Sequence, residues 1–293
     1  MVEIPFRLVD VFCERPLQGN QLCVVPEPVE LEGSGMQAIA KEIGFSETTF
    51  VTSYEGDRYT MRIFTPGQEL PFAGHPTLGT AFVLVSEGRV TSPLTQVVQA
   101  GEYPVEVDPA GGRATMRQLP PEFGEGFDDR ELAAGAAGLE PDDLRDDVPI
   151  QLVSTGLPHL MVPVRDLETI RRAVRDSELV GEVCRRTGGE SMYLFAETED
   201  GVTARMFDWE HGIGEDPATG SAAGPLGAYL SRHGLAGMPG SIRIRQGAQV
   251  GRPSLIEVEV VPEGGWWRVM VSGGVAIVGE GVFRLKGADR ASR

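Results

Sequence analysis

The chain has 293 residues, with 26 lysine and arginine residues against 43 aspartate and glutamate residues, a formal net charge of −17. An acidic surface of this kind repels nucleic-acid phosphates and anionic lipids, so we expect no nucleic acid and no membrane among the partners. The length suits two domains of ordinary size better than a single hydrophobic core.

The predicted elements begin with a strand over 6–12 and a helix over 33–43, which should end at Gly44. Further strands are predicted at 48–53, 58–65, 96–98, 103–107 and 114–117. The stretch 119–129 is rich in proline, glycine and acidic residues, which predicts a linker. Beyond it we predict strands at 148–154, 159–164, 192–196, 202–207, 242–244, 255–261, 267–271 and 275–285, and helices at 177–187 and 218–233.

Many strands with few helices, and no regular alternation of the two, predict an α+β architecture with largely antiparallel or mixed sheets. We place the two halves at 1–124 and 125–293. The last strand, 275–285, is predicted either to stay in the second half or to return to the first half.

An internal repeat is the most informative sequence feature. R-x-F at 62–64 and at 205–207 is followed in each case by [HD]-P-x-x-G-[ST]-A, at 75–81 and 216–222. Each copy predicts a strand, a loop and a helix with proline in its first turn, where the missing N–H would be unpaired in any case. This alignment makes His75 and Asp216 equivalent.

Two such units would turn two helix N-termini towards one cleft, and the free backbone N–H groups there would bind a carboxylate without any lysine. The segments expected to face each other are Gly74 to Gly79 and Gly220 to Ala222. The small residues Gly79, Gly220 and Ser221 would allow a ligand to approach closely. The alternative is that these small residues only pack a helix against a sheet.

Three titratable side chains are candidates for the chemistry. His75 and Asp216 stand near helix starts, where an ordinary turn histidine and an ordinary N-cap are the alternatives. Glu47 lies between a predicted helix and strand, and a glutamate there is usually exposed to solvent. In an apolar cleft, however, its pKa would rise and it could both take and return a proton.

Other chemistries have no support in the sequence. No glycine-lysine-serine/threonine phosphate loop occurs, and the four histidines lack the spacing of a metal site, so we expect no metal. The cysteines Cys13, Cys23 and Cys184 form no C-x-x-C pair, which predicts reduced thiols in a cytoplasmic protein. None of them lies in the repeats, which disfavours thiol acid/base chemistry.

Four motifs resemble the PhzF-like (phenazine-biosynthesis-like) family, and the resemblance runs in order from about Val9 to Gly281. They are V-D-V-F at 9–12 with G-N at 19–20, S-E-T-T-F-V at 46–51, E-L-P-F-A-G-H-P-T-L-G at 69–79 and G-E-D-P-A-T-G-S-A at 214–222. The last two together are highly specific.

The resemblance implies a diaminopimelate-epimerase-like fold, in which two pseudo-symmetric halves each wrap a curved sheet around a central helix, with the active site between them. It also implies a cofactor-independent isomerase similar to trans-2,3-dihydro-3-hydroxyanthranilate isomerase, usually a homodimer. Glu47 would move the proton, while His75, Asp216 and Ser221 would hold the substrate and assist protonation. The resemblance implies further contacts with the substrate from Asn20, Gly74, Gly79, Thr219, Gly220 and Ala222.

The same fold also hosts racemases and epimerases that use two cysteines as paired acid and base. This sequence has Thr219 where one such cysteine would stand, which favours a single base acting on a small unsaturated or cyclic carboxylic acid. An epimerase or racemase of an amino-acid-like substrate, and a non-catalytic protein that binds a small acid, remain the alternatives.

Overall fold

The structure is a computed structural model, and it describes residues 2–29, 31–209 and 214–285. The helices are α1 (Gly33–Ile43), α2 (Gly74–Ser86), α3 (Arg130–Ala136), α4 (Leu167–Arg172), α5 (Ser177–Thr187) and α6 (Gly220–His233). The strands are β1 (Val2–Val11), β2 (Asn20–Val25), β3 (Glu47–Glu55), β4 (Arg58–Phe64), β5 (Glu69–Leu70), β6 (Leu94–Val98), β7 (Gly101–Asp108), β8 (Arg113–Arg117), β9 (Glu122–Gly126), β10 (Gln151–Ser154), β11 (Pro158–Pro163), β12 (Ser191–Thr198), β13 (Gly201–Asp208), β14 (Glu215–Asp216), β15 (Gly240–Gln246), β16 (Ser254–Glu263) and β17 (Trp266–Leu285). Within the described ranges no helix is both long enough and apolar enough to span a membrane.

The chain divides into two compact units. Unit 1 comprises Met1–Met116 and Ser272–Arg293, and unit 2 comprises Arg117–Val271. Strand β17 therefore begins in unit 2 and ends in unit 1. The division after residue 124 stays a prediction from composition. The stretch 119–129 is not simply a linker, however, because it contains β9, which pairs with β10 in unit 2.

In unit 1 a mixed sheet surrounds α2. The strands pair in the order β17, β1, β2, β3, β4, β6, β7, β8, and β8 pairs again with β17, so the sheet closes on itself. The pairs β2–β3 and β4–β6 are parallel. Helix α2 packs on five of these strands, and every residue from 74 to 84 is buried. A helix that is apolar on all sides is stable only inside a core.

Unit 2 repeats this topology around α6. The strands pair in the order β9, β10, β11, β12, β13, β15, β16, and β16 pairs with the first part of β17. The pairs β11–β12 and β13–β15 are parallel, as are their counterparts in unit 1. Residues 220–231 of α6 are buried. Helices α3, α4 and α5 belong to a separate apolar cluster of unit 2. The predicted α+β fold of two similar halves, each built around a central helix, is confirmed.

The R-x-F part of the repeat forms the same clamp in both units. In unit 1, Arg62 donates from Nε and Nη2 to the two carboxylate oxygens of Glu69, at 2.7 and 2.6 Å. In unit 2, Arg205 donates in the same way to Glu215, at 2.8 and 2.6 Å. Each guanidinium also lies over the phenylalanine ring of its own motif, 5.1 and 4.9 Å from the ring centroid. The clamp joins the strand to the short strand that returns towards the helix.

The predicted equivalence of His75 and Asp216 is wrong. His75 is the second residue of α2, whereas Asp216 lies in β14 and precedes α6. The second residue of α6 is Ser221, so His75 corresponds to Ser221. The error arises because P-x-x-G occurs by chance at different distances from the two helix starts, Gly74 and Gly220.

The predicted helices differ from the observed ones for local reasons. The helix over 33–43 is confirmed, and Gly44 ends it with a left-handed φ of 70°. The helix predicted from residue 218 begins at Gly220, so Pro217 precedes the helix instead of standing in its first turn. Helices α3 and α4 have seven and six residues, too few to show a periodic apolar pattern.

Candidate active site

A carboxylate and an imidazole meet inside unit 1. Glu47 is the first residue of β3, and His75 is the second residue of α2. Nε2 of His75 lies 3.2 Å from Oε2 of Glu47. Both residues are buried, with 7% of Glu47 and 3% of His75 exposed. The solvent-facing alternative for Glu47 is therefore excluded.

Asn20 holds the other side of the imidazole. Its Nδ2 lies 3.2 Å from Nδ1 of His75, and its Oδ1 accepts a hydrogen bond of 3.1 Å from the hydroxyl of Ser46. The residue is fully buried at the start of β2. The amide is directed at the histidine and at Ser46, which positions the imidazole, and substrate contact by Asn20 stays a prediction.

His75 is neutral at physiological pH. Burial lowers its pKa from 6.5 to about 3, and a hydrogen bond with the backbone of Gln21 opposes this shift only in part. The amide of Asn20 lies at Nδ1, and Nε2 is the ring nitrogen that faces Glu47. Among the described residues, Nε2 has no hydrogen-bond partner although it is buried. A buried polar atom left in this state is expected where a ligand binds.

The lowered pKa of His75 makes folding stability depend on pH. As pH falls below about 6.5, the unfolded chain binds a proton at this histidine, whereas the folded chain binds it only near pH 3. Between pH 7.5 and 4.5 the wild-type protein should lose about 2 to 3 kcal/mol more free energy of unfolding than a His75→Asn variant. Asparagine can still form a hydrogen bond with Asn20 but does not titrate. Urea unfolding at both pH values measures the difference, and equal losses would contradict the assignment.

The start of α2 has no side-chain cap. The residue before it is Ala73, and its first turn includes Gly74. The first N–H groups of a helix have no partner within the helix, so this end can bind an anion. Gly79 has a separate explanation: a Cβ there would lie 2.5 Å from a methyl group of Leu22 and 2.8 Å from one of Val11. Helix packing is sufficient to require glycine at position 79, and direct substrate contact there stays a prediction.

Asp216 lies in a buried network of unit 2. Its Oδ2 accepts a hydrogen bond of 2.6 Å from the hydroxyl of Thr219. The amide of Gln246 donates to the backbone carbonyl of Asp216 at 2.8 Å and to the hydroxyl of Thr219 at 2.9 Å. Tyr193 donates in turn to Gln246 at 2.9 Å. The ordinary N-cap alternative for Asp216 is wrong, because the residue before α6 is Thr219 and its side chain does not cap the helix.

Ser221 contacts a histidine that sequence reasoning did not select. Its Oγ lies 3.1 Å from Nε2 of His159, and Nδ1 of this imidazole lies 2.8 Å from Oγ of Ser191. His159 stands near the start of β11, and Ser191 is the first residue of β12. No local motif marks His159 in the sequence, because only the parallel pairing of β11 with β12 brings it to Ser191.

The start of α6 resembles that of α2. Neither helix has a side-chain cap, whereas α3, α4 and α5 begin at aspartates whose carboxylates accept first-turn N–H bonds. The carbonyl of Gly220 accepts a hydrogen bond of 2.9 Å from Gln118, and Ala222 is fully buried. Helix α1 also lacks a side-chain cap, so a missing cap alone does not distinguish the two helices that carry the repeat.

The structure thus forms two clusters of predicted site residues, one in each unit. Asn20, Glu47 and His75 are together in unit 1, and Asp216 with Thr219 and Ser221 are near the start of α6 in unit 2. That both clusters act on one substrate stays a prediction from the resemblance.

The thiols of two cysteines are unsuited to acid/base work at neutral pH. Burial raises the pKa of Cys23 to about 12, and burial with nearby carboxylates does the same to Cys184. Thiols of this kind stay protonated and act as small apolar groups in the core.

The fold is shared with solved structures. A phenazine biosynthesis protein of the PhzF family from Bacillus anthracis is 29% identical, with a TM-score of 0.88 over 97% of this chain and 100% of that one. A probable proline racemase from Agrobacterium radiobacter has a TM-score of 0.69 at 15% identity, over 97% of this chain and 93% of that one. The fold is therefore that of the diaminopimelate epimerase and proline racemase class.

The family follows from the sequence comparisons. The family model described as phenazine biosynthesis-like protein matches residues 9–281. The trans-2,3-dihydro-3-hydroxyanthranilate isomerase of Pseudomonas chlororaphis is 34% identical, over 95% of this chain and 98% of the relative. The chain belongs to the phenazine biosynthesis-like family, and it is an isomerase.

Proposed function

We propose that this isomerase moves a proton between two carbons of a small unsaturated or cyclic carboxylic acid, with Glu47 as the acid/base group. The observation that carries the proposal is the buried Glu47 carboxylate, 3.2 Å from the Nε2 atom of a neutral His75. A carboxylate in this position can reach a carbon acid without competition from bulk water.

The neutral state of His75 is important for this chemistry. An imidazolium beside Glu47 would hold the carboxylate ionised, which would make it a weaker base and oppose its uptake of a proton from the substrate. A neutral imidazole instead allows hydrogen bonding without a full charge. In the proposed step Glu47 breaks one C–H bond and becomes protonated. The electron pair moves through the conjugated system, and Glu47 then delivers the proton to the second carbon.

The substrate carboxylate would bind at an uncapped helix start. Ala73 and Thr219 occupy equivalent positions, because each immediately precedes the central helix of its unit. Neither is a thiol, so these positions cannot supply the paired cysteines of a two-base epimerase. This supports a single base, with Asp216 and Ser221 as polar groups that hold the substrate.

The proposal is tested with trans-2,3-dihydro-3-hydroxyanthranilate, the compound named for the 34% identical relatives. Proton NMR in deuterated water should show loss of one C–H signal, a shift of the double bonds and deuterium at the receiving carbon. Proline and diaminopimelate are the matched controls for epimerisation. Deuterium at an α-carbon of either control, without movement in the first compound, would favour the epimerase alternative and contradict the proposal.

A further inference from the structure

His159 is a buried titratable group that the proposed reaction does not use. Only 2% of it is exposed, and its ring joins the hydroxyls of Ser221, at 3.1 Å, and Ser191, at 2.8 Å. All three residues belong to unit 2. The question is what this imidazole does for Ser221.

The internal repeat relates this group to the Glu47 and His75 pair. Strand β3 starts at Glu47 and pairs in parallel with β2 and antiparallel with β4. Strand β12 starts at Ser191 and pairs in parallel with β11 and antiparallel with β13. The second residue of each of these strands pairs with the phenylalanine of the R-x-F motif in its unit, Thr48 with Phe64 and Met192 with Phe207. Glu47 therefore corresponds to Ser191, as His75 corresponds to Ser221. Unit 2 thus has two serines at the positions of the acid and the histidine, and His159 connects them.

The direction of the hydrogen bonds follows from Ser191. In the described part of the chain its buried hydroxyl has one side-chain hydrogen bond, to Nδ1 of His159. If that hydroxyl accepted a proton from Nδ1, its own hydrogen would be buried without a partner, which costs free energy. Ser191 therefore donates to Nδ1, and the neutral ring of His159 carries its proton on Nε2.

The Nε2–H group of His159 then donates to Oγ of Ser221. With that lone pair occupied, the hydroxyl hydrogen of Ser221 is directed away from the ring. Ser221 is 8% exposed, the most of the three. A serine held in this way offers a donor and suits a substrate acceptor oxygen, such as that of a carboxylate or carbonyl.

We propose that His159 is a positioning residue, which Ser191 fixes in one tautomer and which orients the Ser221 hydroxyl as a donor to a substrate oxygen. The kinetic part of this proposal rests on the proposed isomerase function, whereas the tautomer does not. The two are therefore tested separately.

The tautomer is read by nitrogen-15 NMR of histidine-labelled protein at pH 7, without substrate, with the His159 signals assigned from their loss in His159→Gln. We expect a protonated Nε2 and an unprotonated Nδ1. Ser191→Ala should change this to a mixture of tautomers. Ser231→Ala is the matched control, because this hydroxyl in α6 bonds to the carbonyl of Gly227 and should leave the signals unchanged. A charged ring, or a proton on Nδ1 in the wild-type protein, would overturn the proposal.

Kinetics on trans-2,3-dihydro-3-hydroxyanthranilate provide the second test. Glutamine can place an amide N–H where Nε2–H stands, so His159→Gln should keep kcat/KM within about 5-fold of the wild-type value, while His159→Leu should lose about 10- to 100-fold. If glutamine loses as much as leucine while both variants stay folded, positioning is the wrong role. If the wild-type protein shows no turnover, the proposed function fails, and the NMR result still decides the tautomer.

Discussion

Replacement of Glu47 by glutamine should leave the fold and ligand binding intact and should reduce isomerase turnover by at least about 100-fold. Glutamine keeps the size of the side chain and most of its hydrogen bonding, but it cannot take up and return a proton. Because Glu47 is buried beside His75, no water is expected to replace the carboxylate efficiently. The rate of deuterium incorporation into trans-2,3-dihydro-3-hydroxyanthranilate measures the loss.

The matched control for this variant is Glu55→Gln. Glu55 is the last residue of the same strand, and it is exposed. This substitution removes an equal charge at the other end of β3 and should change turnover by less than about 2-fold. Near-full turnover in Glu47→Gln, with ligand binding and the circular dichroism spectrum unchanged, would refute Glu47 as the acid/base group.

The second large effect concerns stability. Arg205→Met should lower the free energy of unfolding by about 3 to 5 kcal/mol, because it leaves the carboxylate of Glu215 buried without its counter-charge. The side chains of this pair are only 7% and 14% exposed. Arg205 also donates from Nη1 to the carbonyls of Ile170 and Ala173, at 3.1 and 2.5 Å, so its loss leaves two further acceptors unsatisfied.

The repeat supplies a control with the same ion pair at a more solvent-exposed position. Arg62 and Glu69 form the equivalent clamp in unit 1, but their side chains are 35% and 34% exposed. Arg62→Met should therefore cost only about 0 to 1 kcal/mol. Urea unfolding of both variants measures the two losses. Equal losses would mean that burial does not control the contribution of the clamp.

The internal repeat illustrates how much of the fold could be predicted from the sequence. The strings around R-x-F are short, yet they pointed to a real duplication, because the arginine, the phenylalanine and the later glutamate form the same local clamp twice. The alignment of His75 with Asp216 nevertheless failed. P-x-x-G is too common a string to fix a register, and only the observed helix starts show that Ser221 corresponds to His75.

The same limit applies to the residues around the candidate site. Glu47, His75 and Ser221 could be selected from sequence because motifs carry them. The roles of Asn20 and His159 could not, because each depends on a contact between residues far apart in the chain: Asn20 lies against His75, and His159 against Ser191 and Ser221.

The sequence by itself determined the α+β class, the helix from Gly33 to Ile43 with its stop at Gly44, and the existence of two related halves. These features depend on interactions between near neighbours in the chain, namely apolar periodicity, a left-handed glycine and local ion pairs. Tertiary structure alone decided the register of the repeat, the neutral state of His75 and the connection of Ser221 to His159. The reason is physical: a pKa depends on burial, and a hydrogen-bond direction depends on every partner around the group. Both are properties of the packed chain rather than of any segment.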